Sequence, residues 1–455
     1  MQNKTQRSKK KRQKISIHQA WPCIHAHAAG VDLGASEHWV AVPEGASQPS
    51  VRRFGTFTGD LEALADWLKQ CQVSTVAMEA TGVYWIPLFQ ILERRGFEVL
   101  LVNARQIKNV SGRKSDVADC QWIQRLHTYG LLGASFRPAD PYCVLRSYLR
   151  YRDELVAARS MQTQHMQKAL QQMNVQLTQV LADINGLSGL AIIGALLEGQ
   201  RDPLQLAALA SVRVKTPRAQ IAQALVGDYR REHLFALKTA FELYHTYEAK
   251  IGACDAELTR ELAQLPDRVD LQTKPLPPKV GRKPIAEDLR LGLYRKLGVD
   301  LTAIEGFGSL VALTVLSEVG PNLDKFKTEK HFTSWLGLCP DNRISGGRIL
   351  SCRTRRVVNR LSDSLRLSAT TLERSQTALG AYYRRMKAKL GAAEGITATA
   401  HKLARVLYRL LKYGENYVRE GLAEYEKKHR ERKLKNLKKA AASIGFNLVA
   451  QELAA

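Results

Sequence analysis

The chain has 455 residues, of which 45% are hydrophobic and 24% charged, a composition typical of folded domains rather than of a disordered chain. Its 68 Lys and Arg residues outnumber 43 Asp and Glu residues, and the formal charge of +25 indicates a polyanionic partner such as nucleic acid. No apolar run approaches the roughly 20 residues of a membrane-spanning helix, and seven cysteines without a CxxC pair indicate reduced thiols. We expect a cytoplasmic protein of about two to four domains that does not enter membranes.

A basic arm over residues 1–24 precedes a segment, residues 25–140, with the pattern of an α/β domain. Five stretches are predicted to be strands: 28–34, 39–43, 51–57, 74–79 and 97–102. Three are predicted to be helices: 60–71 with Asp60 as N-cap, 84–95, and 115–129 with Ser115 as N-cap. Strands followed by alternating helices and strands predict a mixed sheet covered by helices.

The next part of the chain is predicted to be helical. Residues 142–184 have the pattern of one long helix, and its apolar residues repeat at heptad spacing: Met166, Leu170, Met173, Leu177, Val180 and Ile184. Such a seam favours a coiled coil that joins protomers, although an ordinary core helix has similar spacing. Residues 141–265 thus combine a coiled coil with a helical insert of unassigned role. A Pro-rich linker at 266–284, a helical domain at 285–415 and a basic helical tail at 416–455 follow.

Four acidic residues lie where a catalytic site is expected. Asp32 and Glu79 each end a predicted strand, and Asp116 and Asp119 lie on one face of a helix start. Singly, each has a structural interpretation, such as a favourable charge at a helix N-terminus for Asp116 or an arginine partner for Glu79. Together, four carboxylates repel unless cations neutralise them, and Mg²⁺ prefers oxygen ligands. Two such ions would stabilise the attacking and leaving oxygens of a phosphodiester.

The motifs GVDLGASEHWVAVP, MEATGVYW and KSDVADCQWI carry these acids, and as a set they resemble a RuvC-like, ribonuclease-H-type domain. More closely, the chain resembles DEDD-type insertion-sequence transposases, which are related to the Piv invertase. The motifs GFGSLVALTVLSEVG, FTSWLGLCP and NRISGGRI extend the resemblance, which covers about residues 25–130 and 300–365. It implies a RuvC-like α/β domain and a serine-containing C-terminal transposase domain. With the patterns above, the predicted fold is a RuvC-like α/β domain, a long coiled-coil helix and a mostly α-helical C-terminal transposase domain.

The resemblance also implies site residues and partners. Asp32, Glu79, Asp116 and Asp119 match the family's metal-binding acids, and Ser345 matches its essential serine. The implied activity is excision and insertion of a mobile element through a circular intermediate. The expected cofactor is Mg²⁺, with two ions per site. The implied partners are double-stranded DNA at the element ends and target, a structured noncoding guide RNA, and further protomers in a dimer or tetramer. The expected location is the prokaryotic nucleoid.

Two stretches in the C-terminal domain are candidate nucleic-acid contacts. Gly306 and Gly308 flank Phe307 between apolar helical runs, as in a helix-hairpin-helix turn that offers N–H groups to phosphate, although packed helices also share such turns. The second stretch surrounds Ser345 with glycines and arginines: Arg343, Gly346, Gly347, Arg348, Arg353, Arg355 and Arg356. From the residues alone, Ser345 is one loop serine among others. Ser351 is its nearest competitor as nucleophile, and Tyr382 and Tyr383 are more typical of packing or DNA contacts.

Three other functions remain open at this point. A Holliday-junction-resolving nuclease or a DNA invertase would use the same carboxylates, and the nuclease would need no serine. A sugar-kinase or actin-like phosphotransferase can begin with GVDLG, but we find no later phosphate loops or adenosine motif. A non-catalytic nucleic-acid-binding protein would not need the complete set of four acids and a serine.

Overall fold

The computed structural model describes residues 22–80, 82–107, 115–278, 287–414 and 422–447. The chain divides into two compact units, Met1–Arg137 and Pro138–Ala455. Residues 1–21 of the predicted arm, 279–284 of the predicted linker, and 416–421 and 448–455 of the predicted tail lie outside the described residues.

The first unit contains the predicted mixed sheet. Its strands are β1 (Ala28–Leu33), β2 (Glu37–Ala41), β3 (Val51–Gly55), β4 (Thr75–Glu79) and β5 (Glu98–Val102), in the order β3-β2-β1-β4-β5. Strand β1 pairs antiparallel with β2 and parallel with β4, β2 pairs antiparallel with β3, and β4 pairs parallel with β5. The helices are α1 (Thr58–Gln70), α2 (Trp85–Arg94), α3 (Ala104–Ile107) and α4 (Asp116–Thr128).

The starts of α1 and α4 test the two predicted caps. Ser115 is the N-cap of α4, as predicted, and its Oγ accepts a hydrogen bond from the Ala118 N–H at 3.4 Å. The prediction for α1 was wrong by three residues, because Phe57 is the N-cap. Asp60 lies one turn inside, where its Oδ2 accepts from the Phe57 N–H at 3.2 Å. The carboxylate therefore still satisfies a free N–H at the helix start, from inside the helix.

The two faces of the central strands pack against different helices. Val31 and Met78 point to one face and pack in a core with Leu64 of α1 and Leu88 of α2. Alternation along β1 places Gly30, with Ala28 and Asp32, on the other face, which α4 covers. A Cβ at Gly30 would lie 2.2 Å from the Gln124 backbone nitrogen, so only glycine allows α4 to approach β1 this closely.

The second unit is mostly helical, as predicted. Its first half contains α5 (Asp140–Gln172), α6 (Leu177–Val180), α7 (Leu187–Leu197), α8 (Pro203–Ala208), α9 (Arg218–Ala224) and α10 (Arg231–Gln264). Helix α5 packs along α10, with ion pairs from Arg152 to Asp255 and from Arg159 to Glu248. Because the residue numbers rise on one helix and fall on the other, the pair is antiparallel.

The prediction of a single helix over residues 142–184 was wrong. Helix α5 ends at Gln172, and Asn174 adopts φ +55°, a left-handed conformation that asparagine tolerates better than most residues. All six heptad side chains are nonetheless buried, in one core with residues such as Ile193, Ile221 and Leu237. The chain's own helices therefore fill the apolar seam, and it is not exposed for a coiled coil between protomers.

The second half of this unit begins after the prolines. Its helices are α11 (Glu287–Leu297), α12 (Ser309–Val319), α13 (Glu329–Trp335), α14 (Arg360–Thr371), α15 (Ala378–Leu390), α16 (Ala392–Tyr413) and α17 (Leu422–Ser443), with a 3-10 turn at Leu301–Ala303. Strands β6 (Arg343–Ser345) and β7 (Arg348–Ser351) form a separate hairpin. The described part of the Pro-rich segment lies against α11, where Arg290 donates to the Pro277 carbonyl at 2.6 Å. No helix among the described residues is long and apolar enough to cross a membrane.

Candidate active site

Asp32 and Glu79 lie side by side at one edge of the sheet. Strands β1 and β4 are parallel neighbours, and Val31 is paired with Met78. The next residues are Asp32, the penultimate residue of β1, and Glu79, the last residue of β4, and they therefore lie at the same edge of the sheet. Because Val31 and Met78 point into the core beneath α1 and α2, the two carboxylates point to the opposite face, which α4 covers.

Helix α4 brings its first turn to the same place. Gln124 Nε2 donates to the Ala28 carbonyl at 3.3 Å, and the Thr128 carbonyl accepts from the Ile24 N–H at 2.9 Å. Helix α4 therefore runs antiparallel to β1, and its C-terminal end lies beside the start of that strand. Its N-terminal turn, which carries Asp116 and Asp119, lies towards the carboxyl end of β1.

The electrostatics of Asp32 show that the four acids interact. The pKa of Asp32 is raised from 3.8 to about 6, mainly by burial and then by the negative charges of Asp119, Asp116 and Glu79. A hydrogen bond from the Leu33 backbone N–H lowers this pKa and offsets only part of the rise. Asp32 therefore lies near enough to the other three acids that the sequence singled out for their charges to disfavour its ionised form.

The chemistry of these side chains suits a hard divalent cation. All four are carboxylates, the oxygen ligands that Mg²⁺ prefers, and their mutual repulsion falls when a cation binds. Among the described residues, however, no three His, Cys, Asp or Glu side chains are gathered closely enough to hold an ion together. The acids are therefore close enough to repel one another but are not arranged as a finished coordination shell.

Two residues at this site were missed by sequence reasoning. Gly30 has no side chain and so allows α4 to pack closely against β1. The sequence signal for this role was a glycine inside a strand pattern, which often marks the close approach of another backbone. Cys120 lies fully buried one residue beyond Asp119. Burial raises the pKa of its thiol to about 12, and the charges of Asp32 and Asp119 add to the rise. Cys120 is therefore a neutral packing residue beneath the acids.

Ser345 lies in the second unit, at the end of an exposed β-hairpin. It pairs with Arg348 across a two-residue turn in which Gly346 has φ +54° and Gly347 has φ +77°. Two consecutive positive φ values are characteristic of a type I′ hairpin turn, which glycine adopts without strain. Ser345 is thus exposed to solvent beside a tight turn.

The arginines predicted around Ser345 divide into two groups. Arg355 is engaged, because its Nη2 donates to the backbone carbonyl of Ser334 at 2.7 Å and to its Oγ at 2.9 Å, which ties the base of the hairpin to α13. The others are exposed and make no side-chain ion pair within the described part of the chain: Arg343, Arg348, Arg353 and Arg356. Their guanidinium groups are available to phosphates.

The competing nucleophiles are less accessible than Ser345. Ser351 is half-buried, and its Oγ accepts a hydrogen bond from the Arg353 N–H at 3.4 Å. Tyr383 is only 2% exposed, and Tyr382 packs beside Ala378 and Ala381 with the Lys402 ammonium over its ring. The two tyrosines therefore have packing roles.

The predicted helix-hairpin-helix turn is present in a shortened form. The element before it is the 3-10 turn Leu301–Ala303 rather than a helix. Gly306 has φ +86° and lies against α14, where a Cβ would be 2.8 Å from the Ser368 carbonyl oxygen. Gly308 is the N-cap of α12, and no side chain caps this helix start. The first N–H groups of α12 are thus left without a side-chain acceptor.

Comparison with known families agrees with both sets of motifs. Residues 29–175 match a model of DEDD transposases of the IS110 type, described as "Transposase". Residues 300–384 match the model of the transposase IS116/IS110/IS902 family, so the two matches together span about half of the chain. A comparison with curated proteins found no match. The first match contains the four acids and the second contains Ser345, and the chain therefore belongs to the IS110-type transposase family and is a DNA transposase.

Proposed function

We propose that this transposase excises and inserts an insertion sequence by Mg²⁺-dependent cleavage and strand transfer, using the four carboxylates and Ser345. The observation that carries the proposal is geometric: Asp32 and Glu79 lie at the same edge of two neighbouring parallel strands, and the first turn of α4, which carries Asp116 and Asp119, lies towards that edge. The raised pKa of Asp32, to which the other three acids contribute, supports it. The strand order β3-β2-β1-β4-β5, antiparallel in its first three strands, supports a RuvC-like, ribonuclease-H-type domain.

The carboxylates would bind the metal in this scheme. Asp32, Glu79, Asp116 and Asp119 supply only oxygen donors, and the positive end of the α4 dipole lies at the same place as Asp116 and Asp119. Bound Mg²⁺ would stabilise negative charge on the attacking and leaving oxygens. The covered face of the sheet keeps Asp32 partly away from water, and this strengthens each charge interaction.

Ser345 would act as the nucleophile. Its Oγ forms a bond to the scissile phosphorus and gives up its proton, while the bond from phosphorus to one deoxyribose oxygen breaks and that oxygen takes up a proton. A DNA hydroxyl then attacks the phosphoserine ester, so that the new strand forms and the serine hydroxyl is restored. Arg343 and Arg348, exposed on either side of the turn, would hold and neutralise the phosphate.

The partners follow from the charge and the family. The uncapped start of α12 beside Gly308 and the free arginines of the hairpin suit contacts to a DNA backbone that are independent of base sequence. A charge of +25 accommodates a noncoding guide RNA from the element in addition to DNA. The carboxylates and Ser345 lie in separate units, and we infer that the working site is composite and assembles from two protomers of a dimer or tetramer.

An excision assay in cells tests this function. The protein would be supplied with its element and the flanking noncoding DNA, and precise circle junctions would be counted by sequencing. We expect both Asp32→Ala and Ser345→Ala to abolish junctions. Junctions formed by Ser345→Ala but not by Asp32→Ala would instead indicate a junction-resolving nuclease that hydrolyses with water and joins strands by other means.

A further inference from the structure

A cavity lined by charged residues and tyrosines lies in the helical unit, apart from the Ser345 hairpin. It has a volume of about 420 Å³ and is lined by Lys327, Thr328, Glu329, Tyr408, Arg409 and Tyr413. This volume lies within the roughly 300–1,000 Å³ typical of small-ligand sites. No residue of this cavity belongs to the motifs that the proposed chemistry uses.

The charges around the cavity leave a positive excess. Glu329 is the one acidic residue in its lining, and it is held by Arg409 at 2.9 Å and by Arg405 at 2.6 Å. Lys327 is exposed and makes no side-chain ion pair within the described residues. The two arginines and Glu329 together carry a net charge of about +1, and Lys327 adds another positive charge. The cavity therefore favours an anion.

An aromatic ring borders the same cavity. Tyr413 is 56% exposed at the end of α16 and lines the cavity. Tyr408 lies beneath and is 2% exposed, with its hydroxyl bonded to the Phe326 carbonyl at 2.9 Å. The buried tyrosine fixes the floor, while the exposed one offers a flat face beside cationic groups. An exposed ring next to cations is the pattern that binds unpaired nucleotides.

The cavity is connected to the Ser345 hairpin by helix α13. Thr328 and Glu329 begin this helix, and Ser334 near its other end accepts hydrogen bonds from Arg355 at the base of the hairpin. Five residues of helix correspond to about 8 Å. A strand that passes the hairpin is thus within short reach of the cavity.

We propose that this cavity binds one unpaired nucleotide of a nucleic-acid strand, with its base stacked on Tyr413 and its phosphate held by Lys327 and Arg409. The proposal shares with the proposed function only the nucleic-acid partner, and it requires neither Ser345 nor the carboxylates. Both DNA and RNA offer a base and a phosphate, so the test uses both.

Photo-crosslinking tests the contact directly. Full-length protein in EDTA would be irradiated with a 12-nucleotide strand containing 5-iodouracil, as DNA and as RNA in separate arms, and crosslinked peptides would be mapped by mass spectrometry. We expect a crosslink at Tyr413 that persists in Tyr413→Phe and is lost in Tyr413→Leu. The control is Tyr151→Leu, since Tyr151 is 57% exposed on α5 and should not affect the crosslink.

Binding titrations with the same strands give a second readout. Tyr413→Leu should weaken affinity about tenfold, and Lys327→Gln should reduce the slope of log affinity against log salt by about 0.7, while Lys250→Gln, an exposed lysine on α10, is the control. The arm with the stronger Tyr413 crosslink identifies DNA or RNA as the ligand. Crosslinks that avoid Tyr413, or that survive in Tyr413→Leu, would overturn the proposal. Because Ser345→Ala should leave this crosslink intact, failure here is distinguishable from failure of the proposed chemistry.

Discussion

The two parts of the proposed catalytic machinery are built in opposite ways. Asp32 and its three acidic neighbours are positioned by a packed sheet and a helix that touches it at Gly30. Ser345 stands on an exposed two-strand hairpin, where Arg355 contacts Ser334 and the other arginines make no ion pair within the described residues. The fold thus brings the carboxylates to one edge of the sheet before any substrate arrives, although it does not arrange them as a finished metal site. The serine must be positioned by its partners, such as nucleic acid or a second protomer, because its own unit offers little to hold it.

The largest effect is expected from a substitution that removes one charge from the packed site. Asp32→Asn keeps the shape of the side chain, and we expect DNA joining to fall by roughly 10²–10³-fold or more, because an electrostatic group at the reacting centre is removed. The control is Glu37→Gln on the adjacent strand, where the acid pairs with Arg53 at 3.2 Å and does not contribute to the raised pKa of Asp32. Equal losses in both variants would mean that the cluster has no special role.

The second effect is expected from a substitution that disrupts the packing that positions the acids. Gly30→Ala places a Cβ where the Gln124 backbone nitrogen already lies, and we expect a loss of roughly 1–3 kcal/mol in the stability of the first unit. Hydrogen exchange of β1 peptides measures it. Gly59→Ala is the control, since no atom lies within 4 Å of a Cβ there and alanine favours the helix, so it should stabilise slightly. Unchanged exchange in Gly30→Ala would contradict the close approach.

A third effect comes from repulsion among the acids without metal. The pKa of Asp32 is raised from 3.8 to about 6 in the folded protein. The stability that the protonated carboxyl contributes is therefore fully present below pH 3.8 and is lost as the pH rises through 6, because the folded protein disfavours the charged form. Near pH 7.5, Asp32→Asn should therefore stabilise the metal-free protein, on the order of 1 kcal/mol after allowance for solvent screening.

Thermal unfolding with and without Mg²⁺ measures this effect. The stabilisation by Asp32→Asn should shrink as the pH falls below 6, and Mg²⁺ should raise the melting temperature of the wild type more than that of the variant. A variant that is less stable than the wild type at pH 7.5 would show that the acids do not repel one another.

The smallest effects concern the hairpin. Arg343→Gln and Arg348→Gln remove exposed charges, so we expect unchanged unfolding and a salt slope of DNA affinity reduced by about 0.9 for each phosphate that the variant no longer neutralises. Affinity titrations at several salt concentrations measure the slope. Arg231→Gln, an exposed arginine at the start of α10, is the control. A fall in melting temperature for the hairpin variants would mean that these arginines support the fold instead.

The comparison also explains what the sequence could reveal. The five strands of the first unit, to within two residues at each end, and the Ser115 cap were predictable, because alternation and capping are local patterns. The role of the four acids stays a prediction. The end of α5 at Gln172 was not, because the heptad spacing continues through Val180 although the backbone turns at Asn174. The pairing of α5 with α10 has no local signature, since it depends on segments distant in the chain. A glycine inside a strand marks Gly30 as a place of close approach, but the sequence does not show which segment approaches it.

The most direct test of the account is to trap the bond between protein and DNA. The wild type and Ser345→Ala would be incubated with Mg²⁺ and element-end DNA carrying a nick that lets the released fragment diffuse away, and digested peptides would be examined by mass spectrometry. We predict a deoxynucleotide attached to the peptide that contains Ser345, absent from Ser345→Ala and from Asp32→Asn. An adduct on another residue, or cleaved DNA ends with no adduct, would contradict it.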